Sequence, residues 1–432
     1  MLRRRDFAKA ALGLAFVSER YARAVTGLPP LKIAGVKTIA TGDWVFLKVL
    51  TSEPGLYGIG SASNAYEGAA VVAAIERRYK PFWIGKSADR IEDLWDSTNV
   101  LTYWRNSTIQ NNILSALDMA LWDIKGKRAR MPVYDLLGGK VREAVPIYAH
   151  ADGQNREQLA DNIRKYMEEG YRHVRAQLGD YGGGGFITGP AGRPEHGYSG
   201  RAFDEDLYED LYIDTIPKTF AFLRDKLGWQ VKLLHDVHEH LSPTAAVELA
   251  KRFEPYNMFY VEDILPPEQI EWFRRIKQVS TTPMAMGELF VSPREYRPLI
   301  SERVIDFIRC RVSQIGGITA ARRIAALCTE FGVRTAWQEG GENDPVNQIA
   351  AYHVDLTIPS FGIQEENHFP PYVHEMLPGA AELRGGYLYG NDGPGLGIDV
   401  VEEIAAKYPP TPVRPGDGWT TVRGMDGSLV NP

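Results

Sequence analysis

VKLLHD, at Val231–Asp236, is the first of three short apolar runs that each end in an acidic residue. The second run is MFYVE, at Met258–Glu262, and the third is MAMGE, at Met284–Glu288. Successive terminal acids are 26 residues apart, which suits one strand and one helix of a parallel barrel. Runs of this kind predict adjacent parallel strands whose acidic ends meet at one edge of a sheet.

The three runs belong to a longer alternation of predicted strands and helices. The strands are predicted at Val145–His150, His173–Gln177, Val231–Asp236, Met258–Glu262, Met284–Glu288, Asp306–Val312, Arg334–Gln338 and Phe361–Gln364. Helical patterns between them include Pro243–Phe253, Pro267–Gln278, Arg294–Ile300 and Ile318–Phe331. This order indicates an α/β fold with a (β/α)8 TIM barrel over residues 145–390. An irregular insertion, Gly179–Asp204, follows the second strand.

The chain before the barrel has a different order of elements. Strands are predicted at Leu31–Ala40, Trp44–Thr51 and Leu56–Ser61. Helical patterns follow, and the clearest is Ile113–Lys125, with Gly126 just past its predicted end. Strands followed by helices predict a separate α+β capping domain over residues 31–140. We expect the Pro- and Gly-rich segment 391–432 to return to this cap.

Composition and charge narrow the range of partners. The 432 residues carry a net charge of −6, and no block rich in Lys and Arg occurs after the first five residues, so no nucleic-acid partner is predicted. No apolar run reaches about 18 residues, so no membrane span is predicted. The two cysteines, Cys310 and Cys328, rule out a disulfide framework but leave one bridge between them open.

The first residues resemble an export signal. Arg4 and Arg5 precede Asp6-Phe7-Ala8-Lys9, the apolar stretch Ala10–Val17 and the small-residue site Ala22-Arg23-Ala24. This pattern is typical of a twin-arginine signal peptide over residues 1–24 and predicts a periplasmic enzyme. The apolar stretch is short and Glu19 follows it closely, so a basic tail on a cytoplasmic protein is the alternative.

Asp236, Glu262 and Glu288 are predicted to share one space at the C-terminal mouth of the barrel. Three carboxylates at the same level of adjacent strands would repel one another unless a hard cation lies among them. Mg²⁺ accepts such oxygen ligands and keeps positions open for a substrate. Any one of these acids alone would be an ordinary solvated side chain. Together they predict a Mg²⁺ site at the face where TIM-barrel active sites lie.

Nine segments along the chain carry a family resemblance. They are His235–His238, Val261–Asp263, Gly287–Phe290, Gly316–Thr319, Asp344–Val346, Ala116–Lys127, Pro132–Tyr134, Arg175–Gln177 and Gly395–Asp399. Together they resemble the mannonate dehydratases of the enolase superfamily, with their starvation-sensing relatives. The resemblance runs from about Leu31 to near Val400. It implies that a metal holds the substrate carboxylate and stabilises the enediolate formed when the α-proton leaves.

The resemblance also implies catalytic residues. Arg175 would act with a tyrosine of the following loop, either Tyr181 or its rival Tyr198, because a phenol with a pKa near 10 needs a nearby cation to ionise. His238 would protonate the departing hydroxyl, since it lies two residues beyond Asp236 and is expected on the same strand face. A histidine satisfied by its neighbours is the alternative reading of His238, and His240 is a second candidate for the acid.

Substrate contacts are implied at five positions, and one of them departs from the family pattern. Asn64, His150, Arg309 and Glu365 would line the pocket, although each could instead make a structural hydrogen bond or ion pair. The family's seventh strand ends in a histidine where this chain has Gln338, and Gln314 likewise replaces a histidine. Glutamine cannot exchange a proton near neutral pH, so the substrate is left open. The Gly182–Gly185 run lacks a phosphate-loop motif, and we predict that it forms a flexible lid over the barrel mouth.

The sequence therefore predicts a Mg²⁺-dependent hydro-lyase. It would dehydrate a small-molecule sugar acid of the D-mannonate or D-gluconate type to a 2-keto-3-deoxy acid. One alternative is another enolase-type reaction such as epimerisation. The other is a catalytically weak protein that binds sugar acids or has a regulatory role. We expect a homo-oligomer, as for many barrels of this kind.

Overall fold

The computed structural model describes residues 29–64, 66–179, 205–206, 209–341, 343–412 and 422–423. The described part of the chain begins with an antiparallel sheet of three neighbouring strands, β1 (Ile33–Thr41), β2 (Trp44–Thr51) and β3 (Tyr57–Ser61). The helices that follow are Gly68–Ala74, Lys80–Trp83, Ile91–Val100, Thr108–Ala129 and Val133–Leu136, with a π-helical turn at Ile75–Tyr79. The predicted α+β order of the cap is confirmed.

Thr108–Ala129, called the central cap helix below, packs directly against β3. A Cβ added to Gly58 or Gly60 would lie 2.0 or 1.9 Å from a helix carbonyl oxygen, so only glycine permits this approach. The predicted helix end at Gly126 was wrong, because the helix continues to Ala129. A Cβ on Gly126 would lie 2.6 Å from the Cα of Gly395. This glycine therefore makes room for a distant segment instead of ending the helix.

Eight parallel strands form the predicted barrel. They are β4 (Val145–Gly153), β5 (His173–Leu178), β7 (Lys232–Asp236), β8 (Tyr260–Glu262), β9 (Met284–Met286), β10 (Phe307–Ile308), β11 (Arg334–Thr335) and β12 (Gln364–Glu365). Pairing of β12 with β4 and a bridge between Thr335 and Phe361 close the ring. A short strand, β6 (Glu205–Asp206), lies outside this ring.

Helices follow most barrel strands. They are Arg156–Glu168, Glu209–Leu227, Pro243–Arg252, Phe273–Val279, Pro293–Ser301, Gly317–Phe331 and Pro345–Asp355, with short helices at Val312–Ile315, Pro371–Met376 and Glu402–Ala405. Two 3₁₀ segments occur at Glu254–Tyr256 and Pro267–Trp272. The strand predicted at Asp306–Val312 is shorter than expected, since Val312 begins a helix. Ser115 of the central cap helix donates a hydrogen bond to the Val312 carbonyl, so this apolar run turns toward the cap.

Seven buried side chains, five within barrel strands and two next to β11 and β12, fill the barrel interior. This apolar plug consists of Tyr148, Leu234, Tyr260, Ala285, Phe307, Ala336 and Ile363. Leu234 pairs in register with Tyr260, and two residues further on Asp236 pairs with Glu262. Because side chains alternate between the two faces of a strand, the acids lie on the same inner face directly above the plug.

The last part of the chain packs on both units. A hairpin of β13 (Glu382–Arg384) and β14 (Tyr387–Tyr389) pairs with the start of β4. Further on, Leu396 N donates to Asp123 in the central cap helix, and Glu402 forms an ion pair of 2.8 Å with Lys48. A final strand, β15 (Val422–Arg423), pairs with β6.

Cys310 and Cys328 are both buried free thiols, so the bridge that the sequence left open is not formed. In the part of the chain that the structure describes, no helix is long and apolar enough to cross a membrane. The predicted signal peptide, residues 1–24, lies outside the described residues.

Candidate active site

The three predicted metal ligands all reach the barrel mouth, but not at one level. Asp236 and Glu262 are the last residues of β7 and β8 and pair in register. Glu262 pairs on its other side with Ala285, and Glu288 follows three residues later. The expectation of equal levels was therefore wrong for Glu288, because β9 ends at Met286 and Gly287 turns the chain at φ 136°. The Glu288 side chain is 18 % exposed, against 1 % for Asp236 and 0 % for Glu262.

Two buried guanidinium groups link the three acids. Arg175 Nη1 lies 3.1 Å from Asp236 Oδ2 and 3.2 Å from Glu262 Oε1. Arg309 lies on the other side, with Nε 3.2 Å from Glu262 Oε2 and Nη1 3.0 Å from Glu288 Oε2. Arg175 and Arg309 therefore contact the same carboxylate cluster. The sequence predicted that Arg175 acts with the loop base and that Arg309 contacts the substrate.

The cluster contains more acidic groups than guanidinium groups. Asp263 and Glu365 also form ion pairs with Arg309, which makes five carboxylates around two guanidinium groups. Burial, reinforced by Glu262, raises the pKa of Asp236. Burial also raises the pKa of Asp263 to about 7, although the Arg309 guanidinium opposes it. Further positive charge at this place would stabilise the ionised acids.

The donor chemistry of Asp236, Glu262 and Glu288 fits a hard divalent cation. All three offer carboxylate oxygens, which Mg²⁺ prefers, and a bound cation would neutralise the negative charge that ionisation of the five acids creates. Their oxygens now face Arg175 and Arg309, and among the described residues no three acidic, His or Cys side chains form a ready ligand group. A cation at this place requires these side chains to turn from the guanidinium groups toward one point.

His238 reaches the cluster through a tight turn. β7 ends at Asp236, and His238 and Glu239 follow with φ angles of 52° and 65°. The expectation that His238 shares the strand face was wrong, because the left-handed turn sets its direction instead of the pleat. Its backbone N donates to Asp236 Oδ1 at 2.9 Å, and its Nε2 lies 3.7 Å from Glu288 Oε1. Burial lowers the pKa of His238, while Glu288 raises it.

His240, the second candidate for the acid, lies beside His238. The two ring centroids are 5.6 Å apart, and the His240 side chain is buried. His238 Nε2 lies 3.7 Å from Glu288 Oε1, which keeps His238 as the first candidate for the acid.

His150 and Glu365 join the cluster from β4 and β12. His150 Nε2 lies 2.9 Å from Glu365 Oε1, and its Nδ1 lies 3.4 Å from Arg175 Nη2. Burial would raise the pKa of Glu365, but Arg309, His150 and Arg175 hold it well below its usual range. Glu365 is therefore an ionised acceptor at the mouth. Gln338 lies three residues beyond β11, and its backbone N donates to the Cys310 carbonyl.

Asn64 and Gln314 lie apart from the acids. The Asn64 side chain accepts a hydrogen bond from Glu67 N within the cap and lines a cavity of about 330 Å³ with Trp44. No described contact joins Asn64 to the barrel carboxylates. The Gln314 carbonyl accepts from Asn111 of the central cap helix, so Gln314 belongs to the contact between cap and barrel. Tyr181, Tyr198 and the Gly182–Gly185 run lie outside the described residues.

Two residues of the site were missed by sequence reasoning. Tyr148 accepts from Arg309 Nη2 at 3.0 Å, and its hydroxyl lies 3.3 Å from Glu262 Oε2. The alternation of Tyr148 with His150 on β4 was a signal that could have found it. Asp263 follows Glu262 and would point to the opposite face of a strand. The Asp263 side chain turns inward because its φ is 42°, and no sequence pattern predicts this angle.

A capped (β/α)8 barrel with carboxylates at the ends of successive strands defines an enzyme of the enolase superfamily. Comparison with known families agrees with this architecture. Residues 18–138 match the mandelate racemase / muconate lactonizing enzyme N-terminal domain, and residues 158–404 match the enolase C-terminal domain-like family. Within this superfamily the chain belongs to the D-galactonate dehydratase family, and it is therefore an enzyme of the hydro-lyase class.

Individual relatives span nearly the whole chain. A D-galactonate dehydratase family member of Paenibacillus sp. (strain JDR-2) is 50 % identical over 415 residues, which cover 93 % of this chain and 100 % of the relative. One from Musicola paradisiaca is 47 % identical over 416 residues, with 93 % and 99 % covered. A crystal structure of an enolase from Pantoea ananatis with bound D-gluconate and Mg has a TM-score of 0.87 at 43 % identity, with 93 % and 100 % covered.

Proposed function

We propose that this enzyme dehydrates a sugar acid of the D-mannonate or D-gluconate type to a 2-keto-3-deoxy acid and depends on Mg²⁺. The observation that carries the proposal is the placement of Arg175 and His238 on two flanks of one carboxylate cluster. Asp236 has one oxygen 3.1 Å from Arg175 and the other 2.9 Å from the backbone N of His238. The relative with bound D-gluconate and Mg supports this substrate class and this metal.

Asp236, Glu262 and Glu288 would hold the metal. Bound Mg²⁺ supplies a Lewis acid for the substrate carboxylate, which makes the neighbouring carbon a stronger acid. Arg309 contacts Glu262 and Glu288 and so sets where these two side chains lie. The excess of carboxylates over guanidinium groups is the feature of this chain that supports the assignment.

Arg175 and His238 would move or direct the two protons. Arg175 stays charged and cannot itself accept a proton, but it lowers the pKa of a phenol held beside it. We assign the base to Tyr181, with Tyr198 as its rival, and the α-proton goes to the phenolate oxygen. The bond from the β-carbon to its hydroxyl then breaks as His238 Nε2–H protonates the oxygen, and water leaves. The resulting enol becomes the 2-keto acid.

Two alternative functions are judged from the presence of Gln338 at the barrel mouth. Epimerisation requires proton exchange on both faces of the α-carbon, and Gln338 makes it unfavourable because an amide does not exchange protons near neutral pH. An enzyme of this family that binds sugar acids but turns them over weakly is the second alternative, since Gln338 replaces a histidine that resembling enzymes carry. The Glu365 carboxylate and the guanidinium groups would still bind a polar ligand.

A panel of D-mannonate, D-gluconate and D-galactonate with Mg²⁺ separates these functions. We expect one or more acids to lose one water, as read by mass, and Glu262→Gln to abolish the loss. Exchange of the α-proton for deuterium without loss of water would support epimerisation. Calorimetric binding without either change would support a binding protein. If no acid is bound or altered, the proposed function fails.

We further propose that the chain is exported by the twin-arginine pathway and assembles as a homo-oligomer. The Arg4-Arg5 motif supports export. A reporter fused after residue 24 should reach the periplasm, and Arg4→Lys with Arg5→Lys should keep it in the cytoplasm. Light scattering of the purified enzyme measures the assembly, and a monomer would refute the second part.

A further inference from the structure

The side chain of Gln338 borders the same space as Glu365. A Cβ added to Gly340 would lie 2.8 Å from Glu365 Oε1 and 3.4 Å from Gln338 Nε2. Glu365 Oε1 in turn lies 2.9 Å from His150 Nε2. An amide has a donor end and an acceptor end of nearly equal size, so its orientation decides what Gln338 offers at the barrel mouth.

Arg311 and Asn343 determine that orientation. Arg311 Nε donates to Asn343 Oδ1 at 2.8 Å. Because a guanidinium group has only donors, the carbonyl end of Asn343 must face Arg311 and its NH₂ must face away. That NH₂ donates to the Gln338 backbone carbonyl at 3.0 Å and to Gln338 Oε1 at 3.4 Å. The acceptor end of the Gln338 amide is thereby used, and Nε2 lies on the other side.

The surroundings make this orientation hard to reverse. Asn343 is 0 %, Arg311 3 % and Gln338 9 % exposed, so water does not readily replace a lost partner. Turning the Gln338 amide over would set its NH₂ against the NH₂ of Asn343. Two buried donors facing each other disfavour the reversed amide by about tenfold or more.

We propose that Gln338 is a specificity-determining residue, a hydrogen-bond donor locked in place by Asn343 and Arg311. With the Glu365 carboxylate beside it, the pair offers one donor and one acceptor, which matches a hydroxyl group that accepts from Gln338 and donates to Glu365. The ligand class is therefore a polyhydroxy acid with a hydroxyl at this position. This inference rests on the proposed function for its substrate. Arg311 and Asn343 are positioning residues.

Substitution of Gln338 tests the donor directly. Gln338→Glu keeps the size and the bond from Asn343 but replaces the donor with an acceptor, and Gln338→Met offers neither. With Mg²⁺ and D-gluconate as the probe, we expect Gln338→Glu to raise Kd by about tenfold or more and Gln338→Met by about threefold. KM should follow Kd, while kcat changes less. Unchanged Kd in Gln338→Glu, or a larger loss in Gln338→Met, would overturn the donor role.

Substitution of Asn343 tests the lock without a change at Gln338. In Asn343→Asp, one oxygen still accepts from Arg311 and the other faces Gln338, so the amide must turn over and present its acceptor. Kd for D-gluconate should then rise as in Gln338→Glu. A Kd equal to that of the wild type would contradict the lock.

A double-mutant cycle on the melting temperature tests the contact between Asn343 and Gln338 without any substrate. Combining Asn343→Asp with Gln338→Glu sets two carboxylates against each other, so we expect the double variant to lose about 2 °C or more in Tm beyond the two single shifts. Additive shifts would overturn the lock even if sugar acids are dehydrated. If the wild type binds no sugar acid, the proposed function fails and the cycle still tests the contact between Asn343 and Gln338.

Discussion

The barrel mouth and the central cap helix both bury carboxylates, but they satisfy them differently. In the helix, Asp118 accepts from the backbone N and the Oγ1 of Thr319. Asp123 accepts from Ile59 N at 3.0 Å and Leu396 N at 2.8 Å and pairs with Lys127 at 2.6 Å. Each helix acid thus has its own set of fixed donors. At the mouth, five carboxylates share Arg175 and Arg309.

The acids of the central cap helix therefore stabilise the fold, whereas the acids of the barrel mouth are placed to bind a ligand. Asp118 and Asp123 join the helix to segments that are distant in the sequence, and both accept from backbone N–H groups that cannot move independently. The mouth acids share two guanidinium side chains as partners and outnumber them. A buried charge without full compensation is costly, so such a cluster is suited to bind a cation or a polar substrate.

The largest effect is expected when an acid at the mouth becomes an amide. Glu262→Gln should lower kcat/KM by about 10³-fold or more, because it removes a metal ligand. It should not lower the free energy of unfolding, since it also removes repulsion with Asp236. Turnover of the best sugar acid and urea unfolding measure the two quantities. A stable variant with nearly full activity would contradict the comparison.

The same substitution in the helix should have the opposite consequence. Asp123→Asn loses the ion pair with Lys127 and turns an NH₂ toward a backbone donor, so the free energy of unfolding should fall by about 3 kcal/mol. Activity per folded molecule should stay within about twofold, because Asp123 does not contact the site acids. Urea unfolding and active-site titration check this. Loss of turnover in well-folded protein would mean that the two regions are coupled.

Mg²⁺ should raise the free energy of unfolding only in proteins that keep the acids of the barrel mouth. At about 100 times its Kd, a ligand that binds only the folded state raises the free energy of unfolding by about 2.7 kcal/mol. We expect this gain in the wild type and in Asp123→Asn, its reversal by a chelator, and no gain in Glu262→Gln. Thermal unfolding over a Mg²⁺ titration measures it. An equal gain in Glu262→Gln would place the metal elsewhere.

The smallest effect is expected at His353, which has fixed partners like the helix acids. Its Nδ1 accepts from Tyr134 N at 3.2 Å, and its Nε2 donates to the Leu396 carbonyl at 3.1 Å. Burial lowers the pKa of His353 to about 4. The unfolded chain, with a pKa near 6.5, binds the proton first, so stability is present above pH 6.5 and is lost as the pH falls toward 4.

From pH 7 to pH 5.5 this histidine should account for a loss of about 1 kcal/mol in the free energy of unfolding. His353→Gln keeps one donor and one acceptor and does not titrate, so its stability should fall less over this interval. Urea unfolding at the two pH values gives the difference. Parallel pH dependence in both proteins would refute the contribution of His353.

Much of the architecture could be predicted because it depends on local sequence patterns. Short apolar runs that end in an acid identified β7 and β8, and their acids pair in register. The order of strands and helices identified the cap, and the family resemblance directed attention to Arg175, Arg309 and His238, which the structure brings to the same carboxylate cluster. A barrel places the ends of its parallel strands at one face, so neighbours in this pattern become neighbours in space.

Other features depend on a single backbone angle. Glu288 lies above the other two acids because Gly287 turns the chain, and His238 reaches the cluster because its φ is 52°. A turn made by one positive-φ residue, whether Gly287 or His238, leaves no periodic signal in the sequence. The level of Glu288 and the route of His238 were therefore mispredicted although both residues were named.

By itself the sequence determined the capped barrel, the acids that end its strands and the family, because these depend on short-range periodicity and on motifs within a few residues. Only the tertiary structure decided which groups share those acids. Tyr148 meets Arg309 across 161 residues of chain, and Asn343 fixes the Gln338 amide only because Arg311 lies behind it. Such contacts exist once the barrel has closed, since closure alone brings the ends of distant strands within hydrogen-bonding distance.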